Sequence, residues 1–235
     1  MNQILVSQKI YVTKEMKRKQ KIYKTIFVLS IITIVILLTY YVFAEKARND
    51  QERLSQEILG KLDRTTTTEH AIVVSLDQDD SDGDVSQEII EDNSQTTSKI
   101  TTSDGSTYET EAVLNYKKLG INYPVLSEQS DELLKISLNK YWGPKPNTVG
   151  NYCIVGHNYK NGKMFGKLSM ATIGDEVELT DLNDKTITYT VYNKYVVEPT
   201  DVTCTSQLTN GKKELTLITC TNYGKQRLVV KCREE

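Results

Sequence analysis

Residues 25–43, TIFVLSIITIVILLTYYVF, form a run of 19 residues without a single charge. As a helix this run would rise about 28 Å, close to the roughly 30 Å hydrocarbon core of a bilayer. A helix apolar on every face suits lipid better than the surface of a soluble domain. Residues 1–24 carry seven Lys/Arg against one acid, Glu15, while Tyr40 and Tyr41 lie near the far end of the run. The positive-inside rule then places the N-terminus in the cytoplasm and everything after Phe43 outside. A cleaved signal peptide is the alternative, with Val42-Phe43-Ala44 as a tolerable small-x-small site. The run, however, exceeds the usual h-region of about 7–15 residues, so an uncleaved single-pass anchor is expected.

The anchor divides a chain whose overall charge is misleading. The 235 residues sum to a formal charge of −2, and no global basic excess exists to neutralise phosphates, which argues against a nucleic-acid binder. Residues 45–110 hold 16 acids and 6 bases, whereas residues 111–235 hold 14 acids and 16 bases. Residues 45–64 read as a juxtamembrane helix, with Leu54, Ile58 and Leu62 on one stripe. Beyond them, Thr65–Thr68 and an acidic, Ser/Thr-rich stretch to about residue 108 are too polar to offset chain entropy by burial. The expectation over 44–110 is a helix followed by a flexible spacer, with His70 a solvated side chain. Residues 77–88 have the span of an EF-hand loop, with Asp77, Asp79 and Glu88 at positions one, three and twelve. Gly83 falls at position seven instead of six, where the sharp turn needs it, so no specific calcium site is expected there.

From about residue 111 the texture changes. Short runs rich in Val, Ile, Thr and Tyr recur at 112–114, 121–126, 152–155, 176–179, 186–197, 214–219 and 228–232, with period-two alternation in Ile187-Thr188-Tyr189-Thr190-Val191. Turn signals separate them: Asn161-Gly162, Gly174-Asp175, Asn183-Asp184 and Asn210-Gly211. One helix is expected over 130–140. A domain over 111–235 with this strand spacing is a mostly-β barrel or sandwich with a minor helix.

The chain has two histidines and four cysteines. The strand-like segment Glu214-Leu215-Thr216-Leu217-Ile218-Thr219-Cys220 runs straight into a cysteine, and Arg227 opens the last strand seven residues later. Upstream, Asn151-Tyr152-Cys153-Ile154-Val155-Gly156-His157 is a strand ending in the domain's only histidine. An ordered His, Cys and Arg, each at a strand end, suits nucleophilic acyl transfer: a thiolate attacks, an imidazole moves protons, and a guanidinium faces the developing oxyanion.

These motifs together resemble the sortases, cysteine transpeptidases of Gram-positive bacteria. The resemblance covers roughly residues 111–235. It includes Gly120-Ile121-Asn122-Tyr123-Pro124-Val125, Val155-Gly156-His157-Asn158, Phe165-Gly166-Lys167-Leu168, Ile173-Gly174-Asp175 and Val196-Val197-Glu198-Pro199-Thr200-Asp201. Thr216-Leu217-Ile218-Thr219-Cys220 and Arg227 complete it. The resemblance implies a closed β-barrel of about eight strands with short helices, outside the cell behind one transmembrane helix. It implies that Cys220 attacks the Thr–Gly carbonyl of an LPXTG-like sorting signal on a surface protein and forms a thioester. His157 would protonate the leaving amine and deprotonate the incoming one, Arg227 would hold the oxyanion, and Thr219 would hydrogen-bond the substrate. The acceptor would be the amine of a peptidoglycan precursor, or a lysine in a pilin-polymerising enzyme. This chemistry requires no metal or organic cofactor.

Cys232 shares strand parity with Leu228 and Val230 and reads as core, as does Cys153, which lies four residues from His157, about 13 Å along a strand. Cys204 sits in the segment that helps to shape the substrate groove in sortases. A disulfide among Cys153, Cys204 and Cys232 stays open, while the lack of a Cys-x-x-Cys pair argues against zinc. The chain shows no Asp-Pro-aromatic motif, and only about twenty residues separate Tyr195 from Leu215. A housekeeping or sporulation-type (A- or D-like) sortase is therefore favoured. The competing readings are a pilin-polymerising sortase and a catalytically silent, membrane-tethered β module that binds wall components. An L,D-transpeptidase would need a Ser-x-Gly-Cys environment, which Thr219-Cys220-Thr221 does not supply.

Overall fold

A computed structural model of the chain describes residues 13–69 and 97–234. The acidic stretch with His70 and the EF-hand-like residues 77–88 lies outside the described residues. The chain divides into two compact units, one ending at Asp50 and one beginning at Gln51.

The first unit is the leading part of one helix, α1 (Lys14–Glu69). It is the helix among the described residues that is long and apolar enough to cross a membrane. Ile26, Phe27, Leu37 and Phe43 are all exposed on it, which is the surface lipid would cover.

In the second unit the same helix turns amphipathic. Leu54, Ile58, Leu59 and Leu62 are buried, and Ile58 and Leu62 join a small core with Ile100 and Leu126. Polar contacts flank this apolar stripe. Glu52 accepts from the Tyr123 hydroxyl (2.8 Å) and Glu57 from the backbone N–H and hydroxyl of Ser103 (both 2.7 Å). The helix stripe read from the sequence is thus a docking face.

Nine strands follow among the described residues: β1 (Ser98–Thr101), β2 (Thr107–Tyr116), β3 (Ile121–Leu126), β4 (Leu138–Trp142), β5 (Gly150–Val155), β6 (Glu176–Asp181), β7 (Thr186–Val197), β8 (Lys213–Thr221) and β9 (Gln226–Glu234). Their order is β1-β2-β3-β4-β5-β8-β9-β7-β6, and β6 pairs back onto β2. Strands β2 to β9 therefore close as an eight-stranded barrel. β1 is an extra strand that pairs with the first half of β2, on the side that β6 takes further along. The barrel interior is filled by Leu114, Tyr116, Tyr152, Ile154, Leu179, Leu217 and their neighbours.

Two expectations are corrected. Ordered structure begins before Glu111, because Ser98–Thr101 and Thr107–Thr110 form a hairpin around a turn at Gly105 (φ 84°), where a residue with a Cβ would be strained. The helix expected over 130–140 shrinks to the single turn α2 (Leu133–Ile136). Leu138 and Asn139 instead pair with Val125 and Leu126 of β3. Ser137 is extended and donates its hydroxyl to the Pro124 carbonyl (2.6 Å). Strand pairing and these side-chain bonds outweigh the weak helical preference of so short a segment.

Candidate functional site

Alternation along the barrel strands sorts the motif residues onto two faces. On β8, Leu215, Leu217 and Thr219 face inward, so Thr216, Ile218 and Cys220 face outward. β9 runs antiparallel beside it, and Cys220 is the direct partner of Arg227. Such partners have Cβ atoms about 5 Å apart on one face. β5 runs parallel to β8 on its other side, with Val155 opposite Ile218. The Gly156 N–H donates to the Ile218 carbonyl (3.2 Å) and carries the chain on to His157. His157 and Arg227 therefore flank Cys220 from the two neighbouring strands, and all three line one cavity of about 360 Å³.

The loop after β5 is held closely. The Asn158 side-chain amide donates to the Cys220 carbonyl (2.8 Å), and the Phe165 N–H donates to the His157 carbonyl (3.0 Å). The His157 ring packs on Tyr159 with centroids 5.2 Å apart. A Cβ at Gly156 would collide with the Leu138 side chain and the Phe165 ring, so the residue before His157 has no room for a side chain.

Burial pushes the His157 pKa below its ordinary value; the Asp131 carboxylate opposes that shift and the Lys135 ammonium adds to it. The neutral imidazole is thus favoured near pH 7 and is able to accept a proton. Arg227 donates from Nη1 to the carbonyls of Gly224 (3.0 Å) and Gln226 (3.2 Å). Those two bonds fix the guanidinium and leave further donors of its fork for a ligand.

Two walls enclose the cavity. One is the approach to α2, with Asp131 and Leu134; the other is the β7–β8 connection, with Pro199, Asp201, Val202 and Cys204. Val155, Val197 and Ile218 give it an apolar floor. The β7–β8 connection contains one short 3₁₀ turn, Thr203–Thr205, and is pinned where the Cys204 carbonyl accepts from Asn151 (2.9 Å) and Lys231 (3.3 Å).

Thr219 departs from the substrate-binding role expected of it. It is 1% exposed and its hydroxyl donates to the Gly156 carbonyl (2.7 Å). It braces the strand end that carries His157 instead of reaching the cavity. All four thiols are unpaired. Cys232 lies in the barrel interior, and Cys153 and Cys204 share a cluster on the outer face with Ile218 and Val229. Burial raises the Cys153 thiol to about 12, which leaves it protonated and inert. Asn158 and Asp131 are the site residues that motif reading passed over. Asn158 stood inside a quoted motif without a role, and Asp131 reaches the cavity only through the nonlocal packing of α2.

A family model described as a sortase domain matches residues 114–235. Among solved structures, sortase A from Corynebacterium diphtheriae is similar at 24% identity and a TM-score of 0.50, over 55% of this chain and 61% of that one. Its lid mutant is similar at 22% identity and 0.51, over 57% and 74%. A pilus-related sortase C of Group B Streptococcus is similar at 23% identity and 0.50, over 54% and 67%. At these identities the likeness speaks for the shared barrel. No curated protein matches the chain.

Proposed function

The chain belongs to the sortase family, and from that premise we propose that it is a membrane-anchored cysteine transpeptidase acting on an LPXTG-like sorting signal. The observation that carries the reading is the meeting of Cys220, His157 and Arg227 in one cavity on the outer face of the barrel.

In acylation, His157 takes the thiol proton as the Cys220 sulfur attacks the Thr–Gly carbonyl carbon. The tetrahedral oxyanion is held by the remaining N–H groups of Arg227. Collapse breaks the C–N bond, the leaving amine takes the proton from His157, and a thioester remains on Cys220. In the second half, an acceptor amine attacks the thioester carbon and forms an amide. The C–S bond breaks with its electron pair on sulfur, and His157 receives the surplus proton of the nitrogen. The apolar floor at Val155, Val197 and Ile218 suits the Leu-Pro portion of the signal. Residues 25–43 hold the enzyme in the membrane, with residues 1–24 in the cytoplasm and the domain from 111 on outside, where surface proteins and wall amines are available.

The test is incubation of the full chain in detergent with an LPXTG peptide and a primary amine. Mass spectrometry should find an acyl adduct on Cys220 and a transpeptidated product. If Cys220→Ala yields the same product as wild type, the reading fails.

A further inference from the structure

The cavity carries two carboxylates besides its three motif residues, and they differ in what they hold. Asp201 accepts at Oδ1 from both the backbone N–H (2.9 Å) and the hydroxyl (2.6 Å) of Thr203, so one of its oxygens is committed to a turn on the β7–β8 wall. Asp131 lines the cavity on the opposite wall, and among the described residues no hydrogen bond or ion pair engages its carboxylate. Its position is nonetheless fixed. Ser130 anchors the turn, its hydroxyl accepting from the Leu133 N–H (3.1 Å) and its carbonyl from the Leu134 N–H (2.9 Å). Leu134 inserts into the cavity wall, while Leu133 and Ile136 pack beside Ile58 and Leu126. An uncommitted, exposed carboxylate on a pinned turn therefore faces the reaction space.

We propose that Asp131 recognises the acceptor, binding the ammonium form of the incoming amine at the end of the cavity where His157 stands. This rests on the transpeptidase reading above. Charge divides the cavity: the Arg227 guanidinium repels a cation from its own end and attracts carbonyl oxygen, whereas Asp131 attracts a cation at the other. β4, which follows α2, pairs with β5, with Asn139 opposite Val155. The wall that bears Asp131 therefore lies on the His157 side of Cys220, away from β9 and Arg227, and its carboxylate acts on the imidazole. The Lys135 ammonium acts on the same imidazole, but Lys135 is outside the cavity lining, so Asp131 is the charge that a ligand meets on the His157 side, while Asp201 stands on the opposite wall. Loss of one proton from the held ammonium to solvent gives the free amine. Its lone pair then forms the C–N bond as the C–S bond breaks with the pair on the Cys220 sulfur, and His157 takes the second proton. Thiolate and imidazolium are left as a pair, and the charges balance.

The acceptors to compare are glycylglycinamide, which is largely an ammonium near neutral pH, and hydroxylamine, which is uncharged there. With an LPXTG peptide as donor and both acceptors competing for the thioester of the full chain in detergent, Asp131→Asn should lower the ratio of amide to hydroxamate product about fivefold, the scale of one solvent-exposed charge pair. Asp131→Glu should keep most of the wild-type ratio. An unchanged ratio in Asp131→Asn, or an equal fall in both products, overturns the proposal. If the wild-type chain forms no thioester with the donor, the transpeptidase reading itself falls and the acceptor assignment with it.

Discussion

The side-chain amide of Asn158 donates to the main-chain carbonyl of Cys220 across 2.8 Å. Asn158 follows His157 directly, so this bond ties the imidazole-bearing loop to the backbone of Cys220, at the point where β5 and its ladder with β8 have ended. Asn158→Ala should cost about 1 kcal/mol of that registration, the worth of one net hydrogen bond. The expected result is a roughly fivefold fall in kcat for transpeptidation with little change in KM for the sorting peptide. Asn158→Asp, which cannot donate, should do no better than alanine. A fall in KM affinity with kcat intact would show that Asn158 binds substrate and does not register the loop.

His157 titrates below its ordinary value because it is buried, against the pull of Asp131 and with the push of Lys135. The sign of each substitution follows. Lys135→Gln removes a cation that disfavours imidazolium and should raise the His157 midpoint, while Asp131→Asn should lower it further. Because protonation is easier in the unfolded chain, His157 contributes stability that is fully present above the unfolded pKa and is lost as pH falls through the folded one. NMR of the imidazole C–H signals reads this directly, since the chain has only His70 and His157 and a His70→Gln variant removes the second signal. Shifts in the opposite directions would mean that the two charges do not face the ring.

Arg227 is held by the carbonyls of Gly224 and Gln226, so its guanidinium serves two backbone acceptors and keeps fork donors for the substrate oxygen in the proposed mechanism. A lysine ammonium is a point charge and cannot reproduce that planar fork. Arg227→Lys should lose about 2–4 kcal/mol of transition-state stabilisation, the usual worth of an oxyanion donor, while thermal unfolding of the protein stays near wild type. Thioester accumulation in stopped reactions measures the first half-reaction. Retained turnover would remove Arg227 from the oxyanion role.

Strand parity made part of the site legible and exposed one misreading. β3 and β7 have the bounds of the runs read at 121–126 and 186–197, and the strand ends at His157, Cys220 and Arg227 meet because parallel and antiparallel pairing both join at β8. The same alternation that turns Cys220 outward sends Thr219 inward, which the motif alone conceals. β1 was missed because Ser98-Lys99-Ile100-Thr101 is a polar edge strand with one apolar residue to mark it. β4 was missed because its pairing with β3 and β5 is nonlocal, while the residues before it carry a helical pattern. Asp131 reaches the cavity through that same nonlocal packing.

Thr219→Val keeps the shape of the side chain and removes the bond to Gly156. The Gly156 carbonyl is then left buried without that donor, and the protein should lose about 1–3 kcal/mol in denaturant unfolding. Thr219→Ser keeps the hydroxyl and should lose less. Activity should fall with Thr219→Val through displacement of His157, in kcat and not in KM for the peptide. An effect on peptide KM alone would return Thr219 to the substrate-contacting role.

The docked segment of α1 reaches the cavity through α2. Ile58 is 0% exposed and packs in the small core that also holds Leu133 and Ile136, and Ser55 bonds Ser137 at 3.1 Å. Leu134, on the other side of that same turn, lines the cavity. Ile58→Ala removes buried methylene groups and should cost about 2–5 kcal/mol where the site cannot collapse. The barrel interior is filled by a separate cluster of side chains, so the cost should appear as local release and not as global unfolding. Hydrogen exchange should then quicken at residues 54–62, in the β1–β2 hairpin and in α2, with β5, β8 and β9 unchanged. Transpeptidation should fall alongside, because the wall that carries Asp131 and Leu134 loses its support. Unchanged exchange at α2 in this variant would show that the helix is only an anchor and does not shape the cavity.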